Sequence, residues 1–282
     1  MALLSARMAV VGHVEWAELL VMDRLPRPGE IRDARDFAAV AAGSGAVAAV
    51  QMAKLTGSST FFTALAQDGP GRLAEQELGR EGIAVHAGVR RPPQRRAIVH
   101  LDDRGERTIT IFGDRLVPHR EDPLPWELLG EVDGVYVTGG DGGAMAAARQ
   151  ARRLVATPRA GQALREGGVQ IDVLVHSGHD EGERPAPELL DPPPRIVVTT
   201  LGGDGGRWSG EEGEGSWKAS PLPGERMDAY GAGDSFAAGL TTGLAAGLPI
   251  AEAVELGARC GAACMTGRGP YRGQLDFRST AP

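Results

Sequence analysis

The chain has 282 residues, a formal net charge of −7, 42% hydrophobic residues and 24% charged residues. This describes a globular chain able to bury a core, of a length ordinary for one α/β unit. The acidic balance argues against a nucleic-acid surface and no apolar run is long enough to span a bilayer, so neither nucleic acid nor membrane is an expected partner.

Met1 to Met8 lack the apolar segment and cleavage site of a secretory leader, which predicts a cytoplasmic protein. Met8 to Gly12 is a short apolar run closed by glycine, the pattern of a buried first strand. In an open α/β sheet ligands bind beyond the carboxyl ends of the strands, so His13 to Glu18 are pocket candidates, with Glu15 the first choice and Glu18 the reserve. Leu25-Pro26-Arg27-Pro28-Gly29-Glu30 reads as a turn and Ile31 to Val40 as a weak strand. Gly43-Ser44-Gly45-Ala46-Val47-Ala48 matches a dinucleotide fingerprint, but no acid follows at the spacing of about 20 residues that a ribose contact needs. A helix is expected over 45–56, a strand over 59–65 and an amphipathic helix over 72–81, with Asp68 as its cap.

Arg95 to His100 and Arg107 to Phe112 alternate around Asp102-Asp103-Arg104-Gly105, a hairpin signal. Arg96 and Arg107 can reach an anionic substrate from there, although arginines on edge strands commonly serve only to discourage aggregation. Buried strands are expected over 134–140, 154–160, 171–175 and 196–201, with an Ala-rich helix over 143–154. His176 and His179 lie three apart without a further His/Cys cluster, so zinc is not expected. Glu181 to Arg195 reads as a surface connection, Arg207 to Leu222 as two short strands, and Cys260 and Cys264 as buried core residues of a terminal helix. Strands alternating with helices argue for a mostly parallel sheet covered on both faces.

Asp228-Ala229-Tyr230-Gly231-Ala232-Gly233-Asp234-Ser235-Phe236 carries the chemistry. The long apolar run from Asp234 to Leu248 reads as a buried helix, which puts Gly231-Ala232-Gly233 at its N-terminus. Unpaired N–H groups and the positive dipole end favour an anion there, and glycine lets a phosphate approach the backbone. An acid beside such a cradle can take a proton from an attacking hydroxyl. The plainer alternative is a glycine turn with Asp234 as a helix cap.

The same nine residues resemble the C-terminal signature of the ribokinase-like, or PfkB-type, carbohydrate kinases, D-T-x-G-A-G-D-x-F, with Ala229 at the Thr position. The resemblance implies a ribokinase-like three-layer α/β sandwich with a mostly parallel central sheet and a small β-lid. It implies one domain over residues 1–282, with lid segments around 16–40 and 94–112. It casts Asp234 as general base and the amides of Gly231, Ala232 and Gly233 as the anion hole. Thr199, Gly203, Gly205, Asp228 and Gly267 fall to the ATP site, and Glu15, Gly43, Gly45 and Arg96 to the substrate. Ser177-x-x-Asp180 stands where the family has N-x-x-E, which assigns Asp180 to Mg²⁺ through water; a monovalent cation and a homodimer through the lid are further family features. Ala17 and Val47 replace polar residues that hold sugar hydroxyls in the family. The implied activity is ATP-dependent phosphorylation of a hydroxyl on a sugar or sugar-like small molecule, nucleosides included. The alternatives are a catalytically weakened binding or sensing protein on the same fold, and a dinucleotide-binding oxidoreductase built on the Gly43 loop.

Overall fold

The elements run β1 (Met8–Val11), β2 (Glu15–Val21), β3 (Asp36–Ala42), α1 (Ser44–Thr56), β4 (Ser59–Ala66), α2 (Gly69–Arg80), β5 (Ile83–Arg90), β6 (Arg96–Leu101) and β7 (Arg107–Phe112). They continue with β8 (Gly134–Val137), α3 (Gly142–Ala148), β9 (Arg153–Ala156), α4 (Gly161–Gly167), β10 (Val173–Ser177), β11 (Ile196–Thr200), β12 (Gly206–Gly210), β13 (Gly213–Trp217), α5 (Ala232–Ala245), α6 (Ile250–Cys264) and α7 (Gly269–Arg272). This computed structural model describes residues 5–103, 107–183 and 190–277. The Arg104-Gly105 part of the expected hairpin turn and residues 184–189 of the expected surface connection lie outside the described residues, as do 1–4 and 278–282.

Strand β1 shows how the sequence builds the sheet. Val10 faces a core shared with α1, α5 and α6, while Ala9 and Val11 face a second core shared with α3 and α4. A strand alternates its side chains, so a strand covered on both faces reads as unbroken apolar sequence. The same division recurs at Phe61 and Phe62, at Tyr136 and Val137, and at Val173 and Leu174. Among the described residues nine strands form this sheet, in the order β13-β12-β11-β10-β9-β8-β1-β4-β5. From β5 to β11 neighbours run parallel, and β12 and β13 add an antiparallel edge. The chain turns to β4 on one side of β1 and to β8 on the other, so a topological switch point opens beyond the end of β1.

Small residues let the helices of the first core come close. A Cβ added at Gly239 of α5 would stand 2.7 Å from Cys260 Sγ of α6, and one at Gly243 would stand 3.0 Å from the Ala253 backbone. That packing explains why a chain with few aromatics still buries a large core. Cys260 and Cys264 are buried, and burial pushes both thiols up to about 12.

A second sheet, β3-β2-β6-β7, projects as the lid. It differs from the sequence expectation in its second strand. The first lid strand is Glu15–Val21, within a position of the expected start of the lid segment, and the next strand is Asp36–Ala42 rather than 31–40. The expected helix over 143–154 stops at Ala148, because Arg153–Ala156 pairs with β8 as a strand. β5 went unexpected because an edge strand buried on part of one face lacks a clean alternation. Asp68 caps α2 as expected, accepting from Gly71 N at 3.0 Å and also from Gln94 N at 2.8 Å.

Candidate active site

α5 begins at Gly231, whose φ of 84° is left-handed and favours glycine. Space enforces the same choice, since a Cβ there would stand 2.9 Å from Val47 Cγ1. The turn before it is fastened by Asp228. Its buried carboxylate accepts from Tyr230 N and from Gly269 N, both at 2.7 Å. The Ala232 N–H bends back to Ala229 O at 3.3 Å, but among the described residues no backbone acceptor takes the N–H of Gly233 or Asp234. A Cβ on Gly233 would meet nothing within 4 Å, so this first turn faces open space. Helix starts of this kind carry unpaired donors and partial positive charge.

The Asp234 carboxylate is partly exposed and has no hydrogen bond or ion pair with the described residues. Crowding by the surrounding protein pushes its pKa up to about 7; Glu183 adds to the rise, while Arg107 and Arg159 oppose it and Glu15 adds a smaller rise. A carboxyl group poised there can hold or release a proton near neutral pH.

The lid supplies the opposite wall. Glu15 is buried, pairs with Arg95 Nε at 3.1 Å and accepts from Tyr230 Oη at 3.4 Å. Arg107 leans over the Tyr230 ring, 5.7 Å from its centroid. Arg96 turns the other way. It pairs with Glu18 and lies over Phe112 on the face away from Tyr230, so the structure does not bring it to Asp234. The reason is strand parity: Ala97, Val99 and Leu101 face Tyr230 with Ala17 and Leu19, and Arg95 shares their parity.

Beneath the lid root, His13 Nδ1 lies 3.0 Å from Arg115 Nη2, which also donates to Thr138 O at 2.8 Å. Burial first, then Arg115, holds the imidazole well below its ordinary pKa, so it is neutral. Gly43 and Gly45 fit around this ring and its backbone: a Cβ at Gly43 would stand 3.0 Å from His13 Nε2, and one at Gly45 2.7 Å from His13 O. Both let α1 start close to the end of β1.

The remaining expected residues lie at the strand ends beyond β9, except Gly267, which lies between α6 and α7. Thr199 Oγ1 lies 2.9 Å from His176 Nε2. Gly203 is open around its Cα, while Gly205 has φ 84° and no room for a Cβ against Trp217 O. Gly267 packs equally tightly against Gly273 N. Asp180 pairs with Arg159 and accepts from Gly182 N at 2.8 Å, with 42% of its side chain exposed. Glu183 reaches further in, with 18% exposed: it accepts from Ser177 N at 2.9 Å and from Arg159 Nε at 2.6 Å. Glu183 rather than Asp180 is the carboxylate that acts on Asp234. Among the described residues no group of three or more His, Cys, Asp or Glu is placed to hold a metal by itself. One or two carboxylates suit a hydrated Mg²⁺ whose other ligands are water and phosphate, and Glu183 and Asp180 are such a pair.

The structure thus gathers Glu15, Tyr230 and Asp234 with His13, Arg95, Arg107, Arg115, Arg159 and Glu183. Sequence reasoning passed over most of the second group. The alternation of Ala97, Val99 and Leu101 could have pointed to Arg95, and Tyr230 stood inside the motif. Arg115, Arg159 and Glu183 sit in irregular segments that carry no periodic signal.

The profile of the family described as pfkB family carbohydrate kinase matches residues 5–171 and 172–276. The ribokinase of Arabidopsis thaliana is 33% identical over 110 residues, 38% of this chain and 29% of that enzyme. The fructokinase of Vibrio alginolyticus is 39% identical over 72 residues, 25% of this chain and 24% of that enzyme. These alignments span about a quarter of the length of the two relatives. The solved structure of Arabidopsis thaliana ribokinase complexed with ribose and ATP superposes with a TM-score of 0.76 at 21% identity, covering 98% of this chain and 97% of that one. The expected ribokinase-like α/β sandwich is the fold of this chain.

Proposed function

The chain belongs to the pfkB family of carbohydrate kinases, and we propose that it transfers the γ-phosphoryl group of ATP to a hydroxyl of a sugar or sugar-like small molecule. The observation that carries this reading is Asp234: an unpartnered carboxylate with a pKa near 7, standing on the first turn of a helix whose amides are free. The acceptor oxygen attacks the γ-phosphorus, the bond to the β-phosphate oxygen breaks, and the hydroxyl proton passes to Asp234. The amides of Gly233 and Asp234, with Gly231 and Ala232 shaping the turn, hold the charge on the transferring group. Asp228 keeps that turn in place through Tyr230 N and Gly269 N.

ATP is assigned to the loops around Thr199, Gly203, Gly205 and Gly267. Glu183 and Asp180 stand ready to orient a hydrated Mg²⁺, which neutralises phosphate charge when bound. On the acceptor side Glu15 is the side chain placed for a contact, while Gly43 and Gly45 shape the floor. Positioning and charge stabilisation supply most of the acceleration in such transfers.

The experiment is Asp234→Asn, assayed for ADP release with a panel of sugars and nucleosides and for ATP binding by calorimetry. Turnover falls about 10²–10⁴-fold while ATP affinity stays within about threefold. A variant that keeps wild-type turnover removes Asp234 as the base. A wild-type chain that binds ATP and small molecules yet phosphorylates none of them is a binding protein on this fold.

A further inference from the structure

Two guanidinium groups in this cleft have no carboxylate of their own. Arg95 is paired with Glu15 at 3.1 Å, and Arg159 with Glu183 at 2.6 Å and with Asp180. Arg115 has no carboxylate within pairing distance among the described residues. Its Nη atoms go to Thr138 O at 2.8 Å, to Arg159 O at 2.7 Å and to His13 Nδ1 at 3.0 Å, and its Nε is buried without a partner. Neutral His13 offers it no counter-charge. Arg107 is exposed, leans on the Tyr230 ring, and likewise has no ion pair with any described residue.

The two belong to one wall. Arg107 touches Tyr230, Tyr230 donates to Glu15, Glu15 pairs with Arg95, and Arg95 Nη1 donates to Gly113 O at 3.2 Å, two residues from Arg115. A charge enclosed against dipoles alone is unfavourable unless a ligand supplies the opposite sign. The transferring phosphoryl is one candidate for that sign, but its place is at the α5 amides. Arg107 instead rides at the far end of the lid, on the same face as Glu15, and reaches back over Tyr230 towards the side on which the acceptor enters. Around the acceptor the wall offers little to a neutral polyol: Ala17 packs with Tyr230, and Val47 presses a methyl group toward Gly231.

We infer that the acceptor carries its own negative charge, a phosphate or a carboxylate on the sugar-like molecule, and that Arg107 and Arg115 receive it. This rests on the kinase reading of the same cleft.

The test uses the full chain with Mg-ATP and matched acceptors: fructose against fructose 6-phosphate, ribose against ribose 5-phosphate, and glucose against gluconate. The expected result is a kcat/KM at least about tenfold higher for a charged member than for its neutral partner, and which pair shows it separates phosphate from carboxylate. Arg107→Gln, on an exposed strand and so free of folding demands, lowers kcat/KM for that charged acceptor about 10–100-fold through KM. The neutral partner changes only by what the loss of Arg107 does to Asp234, so the charged-over-neutral ratio falls at least about tenfold, while the control Arg153→Gln at the opposite end of the sheet leaves both acceptors within about threefold. Neutral sugars turned over as well as charged ones overturn the inference and leave the kinase reading intact. Equal losses for both acceptors in Arg107→Gln overturn it too, since the arginine then serves the transferring group. Calorimetry with the same sugars separates the two readings when turnover is silent: charge-selective binding removes only the kinase, and equal or absent binding of charged sugars removes the inference.

Discussion

The start of α5 and the inner face of the lid face each other across one cleft, and they are built by opposite means. The start of α5 is backbone: a left-handed glycine, free amides and one acid, all within seven consecutive positions and tied down by Asp228. The lid wall is side chains: His13, Glu15, Arg95, Arg107 and Arg115 come from separate segments and meet only after two sheets have formed. A backbone site leaves few substitutions open, so on the proposed function the phosphoryl chemistry is fixed there. A side-chain wall can be rewritten one residue at a time, so the same proposal assigns selectivity to the lid.

Substitutions at the two regions sharpen that contrast. Asp234→Asn has the largest expected effect, the loss of turnover already described. Gly231→Ala comes next, because it forces a side chain into a left-handed position against Val47. It should lower stability by about 1–3 kcal/mol in urea melts and lower kcat for every acceptor alike. If acceptors were affected unequally, the division between the two walls would fail.

The pH dependence ranks third. Asp234 has a folded pKa of about 7 against an ordinary 3.8. Activity needs the ionised form, so kcat/KM rises with pH up to about 7 and levels off above it; Glu183→Gln removes a repelling charge and moves that limb to lower pH. Stability runs the other way. The folded state holds this proton more tightly than the unfolded chain, so the contribution is present below the ordinary value and is lost as pH rises through about 7. Asp234→Asn is therefore more stable than wild type at pH 8, by about 1–2 kcal/mol after allowance for solvent at the carboxylate, and the two converge near pH 4. Denaturant melts at the two pH values check this. The smallest effect is expected for Arg96→Ala, whose partners lie on the outer lid face. Its kcat/KM should stay within about threefold of wild type and its stability within about 1 kcal/mol. A large loss of activity there would mean that the lid faces the cleft with its other side.

Most of the parallel sheet was legible because buried strands such as Met8–Val11 and Ile196–Thr200 are short, mainly apolar runs that begin after an arginine and end at or just before glycine. The α5 cradle was legible because its parts are neighbours in sequence. The lid wall was not, since the position of Arg115 depends on a carbonyl of β9's connection and on a ring beyond β1, and no local pattern encodes either. Arg95 and Arg96 differ only by the face they take, which rests on strand register. Glu183 was hidden by a Pro- and acid-rich composition that reads as surface, and a short 3₁₀ turn over Glu181–Glu183 brings it back to the strand end.

All four lid strands enter or leave the main body at one end, where Glu15, Ala42, Arg96 and Phe112 stand near one another in register. The lid is therefore a cantilever rooted beside the cleft. Its far tip, where Val21, Asp36, Leu101 and Arg107 align, meets the body, among the described residues, through buried Leu101 in the cluster of Tyr230, an exposed Asp36–Arg268 pair and Arg107 on Tyr230. The two charged contacts are worth about 1 kcal/mol or less each, so the buried Leu101 carries most of what holds the tip. Arg107 thus stands at the end of the lever, where the acceptor's side of the cleft meets the outermost contact of the second sheet with the body.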